Sequence, residues 1–276
     1  MKVGIIPDVH GNFNFEEKLR NLSLKVDKII FLGDYCDSHN ENSNWITQKK
    51  CLDKILFLKK ERPDFYTLLL GNHDQHYLSS LGASTRISGR QHFSAAEIQE
   101  YLLANYEHFQ MIEVIDNWIF SHAGISQTWF DNPLGKAVFE KDRLEFCKLS
   151  DINDCFKAKQ VSCFNFNGYD PYGDDDSEGC TWIRPPSLIR YGIKDYNQCV
   201  GHTALAEGFD MDYWNLDSRI VTGQDYWDKK QYYKHQYQDG VDNLKNKYVF
   251  LDSPEQEYYS IIDTKTNEVE IFKVGE

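Results

Sequence analysis

Five times in this chain an apolar run suited to a β-strand stops at a short cluster of Gly, Asp, Asn or His. Lys2-Val3-Gly4-Ile5-Ile6-Pro7 leads into Asp8-Val9-His10-Gly11, and residues 26–32 lead into Gly33-Asp34-Tyr35-Cys36-Asp37. The continuous run 65–70 stops at Gly71-Asn72-His73-Asp74, Trp118-Ile119-Phe120 at Ser121-His122-Ala123-Gly124, and Cys199-Val200 at Gly201-His202-Thr203. Runs without polar alternation suit strands covered on both faces, as in parallel sheets. Gly and Asn then break the strand at its carboxyl end, where open α/β sheets bind their ligands. A single His in such a place is ordinarily a turn residue. Five coincident endings point instead to one shared rim.

The segments between these runs predict how the strands connect. Residues 13–22 carry Phe13, Phe15, Leu19 and Leu22 at mixed helical spacing, and residues 45–60 form a clearer helix with Pro63 beyond its end. Strands alternating with helices imply parallel βαβ units with right-handed crossovers. Further on, Ser94-Ala95-Ala96-Glu97 reads as a capping box opening a helix to about Asn105. Residues 111–121 read as a hairpin turning at Asp116-Asn117, and residues 134–149 as a helix. The stretch 161–180 reads as a long surface loop. Its triplet Asp174-Asp175-Asp176 lacks the ligand alternation of a calcium loop and reads as a solvated acidic turn. Residues 223–247 read as an amphipathic or lid-like insertion without an assigned task. Residues 248–252, 258–263 and 269–274 read as strands, the last two joined by Thr264-Lys265-Thr266-Asn267, which predicts a second, antiparallel sheet.

Composition narrows the partners. Lys and Arg number 30 against 43 Asp and Glu, a formal charge of −13, which argues against a nucleic-acid polymer or a membrane surface as the partner. A phosphorylated substrate stays open, because bound divalent cations reverse the sign locally. The cysteines at 36, 51, 147, 155, 163, 180 and 199 form no C-x-x-C pair and read as reduced intracellular thiols. The first strand begins within two residues of Met1, with no charged-then-apolar leader and no apolar run of membrane-spanning length. The expected location is cytoplasmic. A chain of 276 residues can bury a full core, and one domain over 1–276 is expected, with insertions at 161–180 and 223–247. Oligomeric state is not legible.

The rim residues make a metal-ligand set. Asp8 and His10 lie two apart, so in extended backbone both point to one side and can share a cation. Asp34, from the neighbouring strand, has two oxygens with which to bridge two cations, and Asn72, His122 and His202 supply neutral donors to the second. Mixed carboxylate and imidazole ligation suits Mn, Fe or Zn better than calcium. Two such cations hold phosphate oxygens and activate water for in-line displacement.

In order and spacing, Asp8-Val9-His10, Gly33-Asp34-Tyr35-Cys36-Asp37, Gly71-Asn72-His73-Asp74, His122 and Gly201-His202 resemble the calcineurin-like metallophosphoesterase signature. Ser121-His122-Ala123-Gly124 and Gly201-His202-Thr203-Ala204 are similar to its phosphoprotein phosphatase branch, which includes bacterial and phage phosphatases and symmetrical dinucleoside-tetraphosphatases. The resemblance implies an α/β fold of two packed mixed β-sheets flanked by helices, a four-layer sandwich. It implies two divalent ions, Mn first with Fe or Zn as alternatives. Asp8, His10 and Asp34 would hold one, and Asp34, Asn72, His122 and His202 the other. His73 would be the general acid, Asp37 would hold it, and Arg184 would contact the phosphate beside Asn72. The branch continues past Asp37 with Arg-Gly, whereas Ser38-His39 stands here; His39, Arg86 or Arg90 are candidate substitutes. The implied activity is hydrolysis of a phosphate monoester, on a protein or a small molecule, by metal-bound hydroxide. A nucleotide or dinucleoside-polyphosphate hydrolase, with Tyr169, Tyr172 and Trp182 as stacking aromatics, is the alternative, and a non-catalytic interaction module on this fold is the other. The seven filled core positions argue against that last reading. His76, His92, His108 and His235 fall outside every motif and are expected at the surface.

Overall fold

A computed structural model of the chain describes residues 1–38, 44–78, 91–133, 146–164, 174–206, 216, 218–229 and 244–276. The first three runs form parallel strands β1 (Lys2–Ile6), β2 (Lys28–Phe31) and β3 (Tyr66–Leu69), linked through helices α1 (Phe15–Leu22) and α2 (Trp45–Glu61). A short β4 (Phe109–Gln110) extends the sheet beside β3. The second sheet comprises β5 (Ile112–Ile115), β6 (Trp118–Ser121), β7 (Asn197–Val200), β8 (Ile220–Thr222) and β9 (Lys247–Phe250), in the spatial order β5-β6-β7-β9-β8.

Two-residue alternation explains the layers. Val3, Ile5, Ile30 and Leu69 pack with Trp118, Phe120, Cys199 and Val249 in a core between the two sheets. Their neighbours Ile29, Phe31 and Leu68 face the opposite way and pack with Phe15, Leu52, Ile55 and Leu56 of α1 and α2. The outer face of the second sheet, through Val200, Val221, Tyr248 and Phe250, packs with Leu188 and Ile189 of α7 (Pro185–Tyr191) and with Tyr226 and Trp227 of α8 (Gly223–Lys229). The arrangement is therefore two mixed sheets, face to face, flanked by helices.

Several local expectations change. The terminal hairpin, β10 (Tyr258–Asp263) and β11 (Glu268–Lys273), does not build a second sheet but joins the first, with β10 antiparallel to β1 and β11 at the edge. The second sheet is mixed: β6, β7 and β9 run parallel, and β5 and β8 add antiparallel edges. β10 is buried on both faces over Tyr258 to Ile262, which requires an interior place, whereas β11 is more open. The hairpin at Asp116-Asn117 forms as expected, with Asp116 at φ 54°.

Ser94 makes no capping bond; α4 (Ala95–Ala104) grows out of a 3-10 turn instead. Residues 134–145 of the expected 134–149 helix lie outside the described residues, and α6 (Ser150–Lys157) begins where that helix was to end. Its start is fixed by Asp151, whose carboxylate accepts the N–H groups of Cys147 and Lys148.

The 161–180 stretch is not simply a surface loop, because Cys163, Phe164, Glu178 and Cys180 are buried; residues 165–173 lie outside the described residues. Its acidic triplet is tied down. Asp174 accepts the Ser187 N–H at 2.9 Å and pairs with Arg190 at 3.5 Å, and Asp176 accepts the hydroxyl of Thr128 on α5 (Gln127–Asp131). In the described part of 223–247, Tyr226 and Trp227 are buried in the core while Gln224, Asp225 and Asp228 are exposed, an amphipathic pattern; residues 230–243 lie outside the described residues.

Candidate metal centre

The ends of β1, β2, β3, β6 and β7 meet through a connected set of polar contacts. From the end of β7, the His202 N–H donates to the Asp8 carboxylate at 3.0 and 3.2 Å. From β3, the His73 N–H donates to Asp34 Oδ1 at 2.9 Å. His10 Nε2 and His122 Nε2 stand 3.6 and 3.3 Å from Asp34 Oδ2. Asn72 Oδ1 receives His122 Nε2 at 2.9 Å and His202 Nδ1 at 3.0 Å. All six expected metal ligands thus belong to one cluster, and Asp8, Asp34 and His122 have ligand atoms within 4.8 Å of one another.

Close approach of carboxylate to backbone sets the shape. A Cβ on Gly71 would lie 2.0 Å from Asp34 Oδ1, and one on Gly201 would lie 2.0 Å from Asp8 Oδ1. Only glycine admits these contacts. Gly71→Ala is accordingly expected to push Asp34 aside, weakening metal retention about tenfold or more and lowering the melting temperature. Metal content after dialysis, read beside a thermal melt, checks it. His10, Asp34, Asp37 and His202 all adopt left-handed backbone, with φ of 45°, 51°, 58° and 63°. Asp8 and His10 therefore do not converge through extended backbone: His10 turns out of the strand direction and reaches Asp34. Four non-glycine residues in this region are a stored cost of the kind found at functional sites.

The imidazoles test whether the cluster fits a cation. His10 Nδ1–H donates to the carbonyls of Cys36 and Asp37 at 3.1 and 3.0 Å, and His122 Nδ1–H to that of Leu32 at 3.0 Å. His202 Nε2–H donates to the Trp182 carbonyl at 3.0 Å. Each ring thus spends one nitrogen on the backbone and turns the other toward carboxylate or amide oxygen. Backbone anchoring of this kind fixes the tautomer and orientation of metal-ligating histidines. His122 Nε2 faces only acceptors, so a proton or a cation must sit there. The residues fit divalent cations.

Electrostatics agree. Burial would lower the His122 pKa, but the Asp34 and Asp8 carboxylates outweigh it and raise it to about 9. Burial acts against ionised Asp34, yet His122 and His73 hold its pKa well below the usual carboxylate range. Burial, then the nearby Asp252, pushes Asp8 well up. His202 is pushed well down, by burial and then by Arg184. At neutral pH the metal-free protein therefore holds a proton on His122, which a cation bound through Nε2 would displace. Metal uptake at pH 7 is expected to release that proton, and affinity to climb as pH rises toward about 9. Calorimetric titration in buffers of different ionisation enthalpy reads the release directly.

Around the cluster, His73 lies in the first turn of α3 (Asn72–Leu78) and is partly exposed, with its Nδ1 3.0 Å from Asp37 Oδ2. Arg184, half-buried before α7, donates from Nη1 to the His202 carbonyl at 3.3 Å and to Thr203 Oγ1 at 3.1 Å, so it stands beside the centre. His39, Arg86, Arg90, Tyr169, Tyr172 and His235 lie outside the described residues.

His76 is not at the surface: it is 1% exposed and bonded to Asp37 at 2.9 Å. Asp74, given no role from the sequence, is also buried. Its Oδ1 accepts the N–H groups of Tyr35 and Cys36, both at 2.9 Å, and its Oδ2 that of Gly71 at 3.0 Å, which locks the turn carrying Asp34 to the turn carrying Asn72. Burial, then Asp34, raises the Asp74 pKa to about 6. Asp252 and Lys18 also stand outside every motif; both are buried, and burial lowers the Lys18 pKa to about 8 against the pull of Asp252 and Asp8. An isolated Asp or Lys outside a motif gave no signal.

The family model described as calcineurin-like phosphoesterase matches residues 1–206. The chain superimposes on a cold-active protein tyrosine phosphatase with a TM-score of 0.51 and 15% identity, covering 98% of this chain and 78% of that one. A metallophosphoesterase from Sphaerobacter thermophilus gives 0.44 at 15% identity, with 99% and 88% covered. A protein serine/threonine phosphatase from Saccharomyces cerevisiae, with similarity to human phosphatase PP5, gives 0.47 at 14% identity, with 100% and 81% covered. At such identities the first likeness bears on the fold alone. No curated protein matches the chain by sequence.

Proposed function

Because the chain belongs to the calcineurin-like phosphoesterase family, whose members are metal-dependent hydrolases of phosphate esters, we propose that it hydrolyses phosphate monoesters on a protein or small molecule with two divalent ions, Mn first and Fe or Zn as alternatives. Asp8, His10 and Asp34 would hold one ion, and Asp34, Asn72, His122 and His202 the other. The observation that carries this reading is the backbone anchoring of three imidazoles, which aims His10 Nε2 and His122 Nε2 at Asp34, and His122 Nε2 and His202 Nδ1 at Asn72.

When bound, the ions supply Lewis-acid polarisation of phosphate oxygens and acidify a water molecule. The chain's own residues do the rest. Asp34 is held by the His73 N–H and seated on Gly71, so its second oxygen is fixed toward His10 and His122. His73 gives Nδ1–H to Asp37 and keeps Nε2 for the proton that the leaving oxygen takes. The Arg184 guanidinium, oriented by Thr203 and the His202 carbonyl, contacts phosphate oxygens.

The reading treats 1–276 as one domain, since β10 is inserted between β1 and β11 in the first sheet. Among the described residues no helix is long and apolar enough to cross a membrane, and the seven cysteines carry no disulfide. The expected compartment is the cytoplasm, and the family's activity makes the partner a phosphorylated molecule. Trp182, edge-on to His202 at 6.0 Å, is the described feature that favours the nucleotide alternative.

The test is hydrolysis of an aryl phosphate by chelator-stripped protein, with and without Mn, beside a dinucleoside tetraphosphate. Turnover that appears only with metal is expected. Equal turnover in verified metal-free protein would overturn the proposal, and metal-dependent cleavage of the dinucleotide alone would replace the monoester with the nucleotide substrate.

A further inference from the structure

His73, His76 and Tyr77 lie at i, i+3 and i+4 of α3 and so share one helix face. All three reach the same carboxylate. Asp37 Oδ2 is 3.0 Å from His73 Nδ1 and 2.9 Å from His76 Nε2, and its Oδ1 accepts the Tyr77 hydroxyl at 2.5 Å. The Gln91 N–H adds a longer bond of 3.3 Å to Oδ1 and one of 3.0 Å to the Tyr77 oxygen. Asp37, His76 and Tyr77 are at most 2% exposed, so no bulk water competes for these bonds. A carboxylate can only accept, so the imidazole nitrogens and the Tyr77 hydroxyl that meet it are its donors.

A carboxylate that only met His73 would be free to swing about its side-chain torsions. Here it takes donors on both oxygens from one rigid helix turn and is fixed in angle as well as distance. The Asp37 carbonyl also accepts His10 Nδ1–H at 3.0 Å, so the same residue joins the expected general acid to an expected metal ligand. We infer that His76 and Tyr77 are positioning residues for the reaction: they lock the Asp37 carboxylate so that His73 presents Nε2 to the leaving oxygen. This rests on the proposed role of His73. Both side chains are buried, and the role assigned to them runs through Asp37 and His73.

The test compares His76→Phe and Tyr77→Phe, which remove one donor each, with His76→Gln, whose amide nitrogen can replace Nε2–H. Each is assayed on an alkyl phosphate, whose leaving oxygen needs a proton, and on a nitrophenyl phosphate, whose leaving oxygen hardly does. His76→Phe is expected to lower kcat on the alkyl phosphate about tenfold, with KM unchanged, and to lower it less than about twofold on the nitrophenyl ester. His76→Gln should restore most of the loss, and Tyr77→Phe should show the same split more weakly. In a His73→Ala background, adding His76→Phe should change nothing further, as expected of residues acting in one line. An independent readout is the downfield imidazole N–H proton resonance of His73 in metal-free protein, expected to broaden or vanish in His76→Phe and return in His76→Gln. Equal losses on the two esters, or a further loss in the His73→Ala background, would overturn the inference. If the native protein cleaves neither ester, the proposed function fails by itself, and an unchanged His73 resonance in His76→Phe would still overturn the positioning role.

Discussion

Asp34→Asn is expected to reduce hydrolysis by at least about a thousandfold and to leave the protein unable to retain a full complement of metal. Asp34 is buried, its Oδ1 is pinned by the His73 N–H at 2.9 Å, and its Oδ2 faces His10 at 3.6 Å and His122 at 3.3 Å. It is the only one of the six expected ligands assigned to both cations. The amide preserves shape but removes the negative charge and replaces one lone-pair oxygen with a donor. A donor there opposes either the N–H of His73 or a cation, according to which oxygen it replaces. Rates on an aryl phosphate, measured beside metal content by elemental analysis, check the two consequences together. Native metal content with native rate would show that Asp34 bridges nothing.

His73→Ala is expected to spare the metal and to damage one step. The ring lies beside the cluster, perpendicular to His10 with centroids 5.1 Å apart, and its Nδ1 is committed to Asp37. Removal of a positioned general acid costs about 10²–10⁴-fold, but only where the leaving oxygen needs a proton. The loss should therefore be large on an alkyl phosphate and far smaller on a nitrophenyl phosphate, with metal content unchanged. An equal loss on both would mean that His73 holds the site together instead of giving a proton. The backbone N–H that pins Asp34 survives in alanine, which separates the two roles.

What the sequence made legible was the rim. Each predicted strand end came from a local break in an apolar run, and strand ends collect ligands whatever the details of connection. The sheet to which each late strand belongs was not legible. β10 and β9 are both short apolar runs, and only the long-range pairing of Lys2 with Asp263 decides that β10 lies beside β1. β8, at three residues, carries too short a pattern to read. Within the site, the residues that gather at the rim were legible, whereas the left-handed turn at His10 was not, because nothing but tertiary contact holds a non-glycine residue there.

His76 stands outside every sequence motif, and its buried place follows only from the helix over 72–78, whose spacing sets the rings of His73 and His76 on one face. Asp74 is silent in the sequence for a related reason: its bonds to Gly71, Tyr35 and Cys36 are to backbone, which residue types do not announce.

The most direct test of the metal centre is an anomalous difference map from crystals of the protein loaded with Mn. Two peaks are expected, one on each side of Asp34, the first reached by Asp8 and His10 and the second by Asn72, His122 and His202. A single peak shared by Asp8, Asp34 and His122, or two peaks with Asp34 touching neither or only one, would contradict the two-ion account.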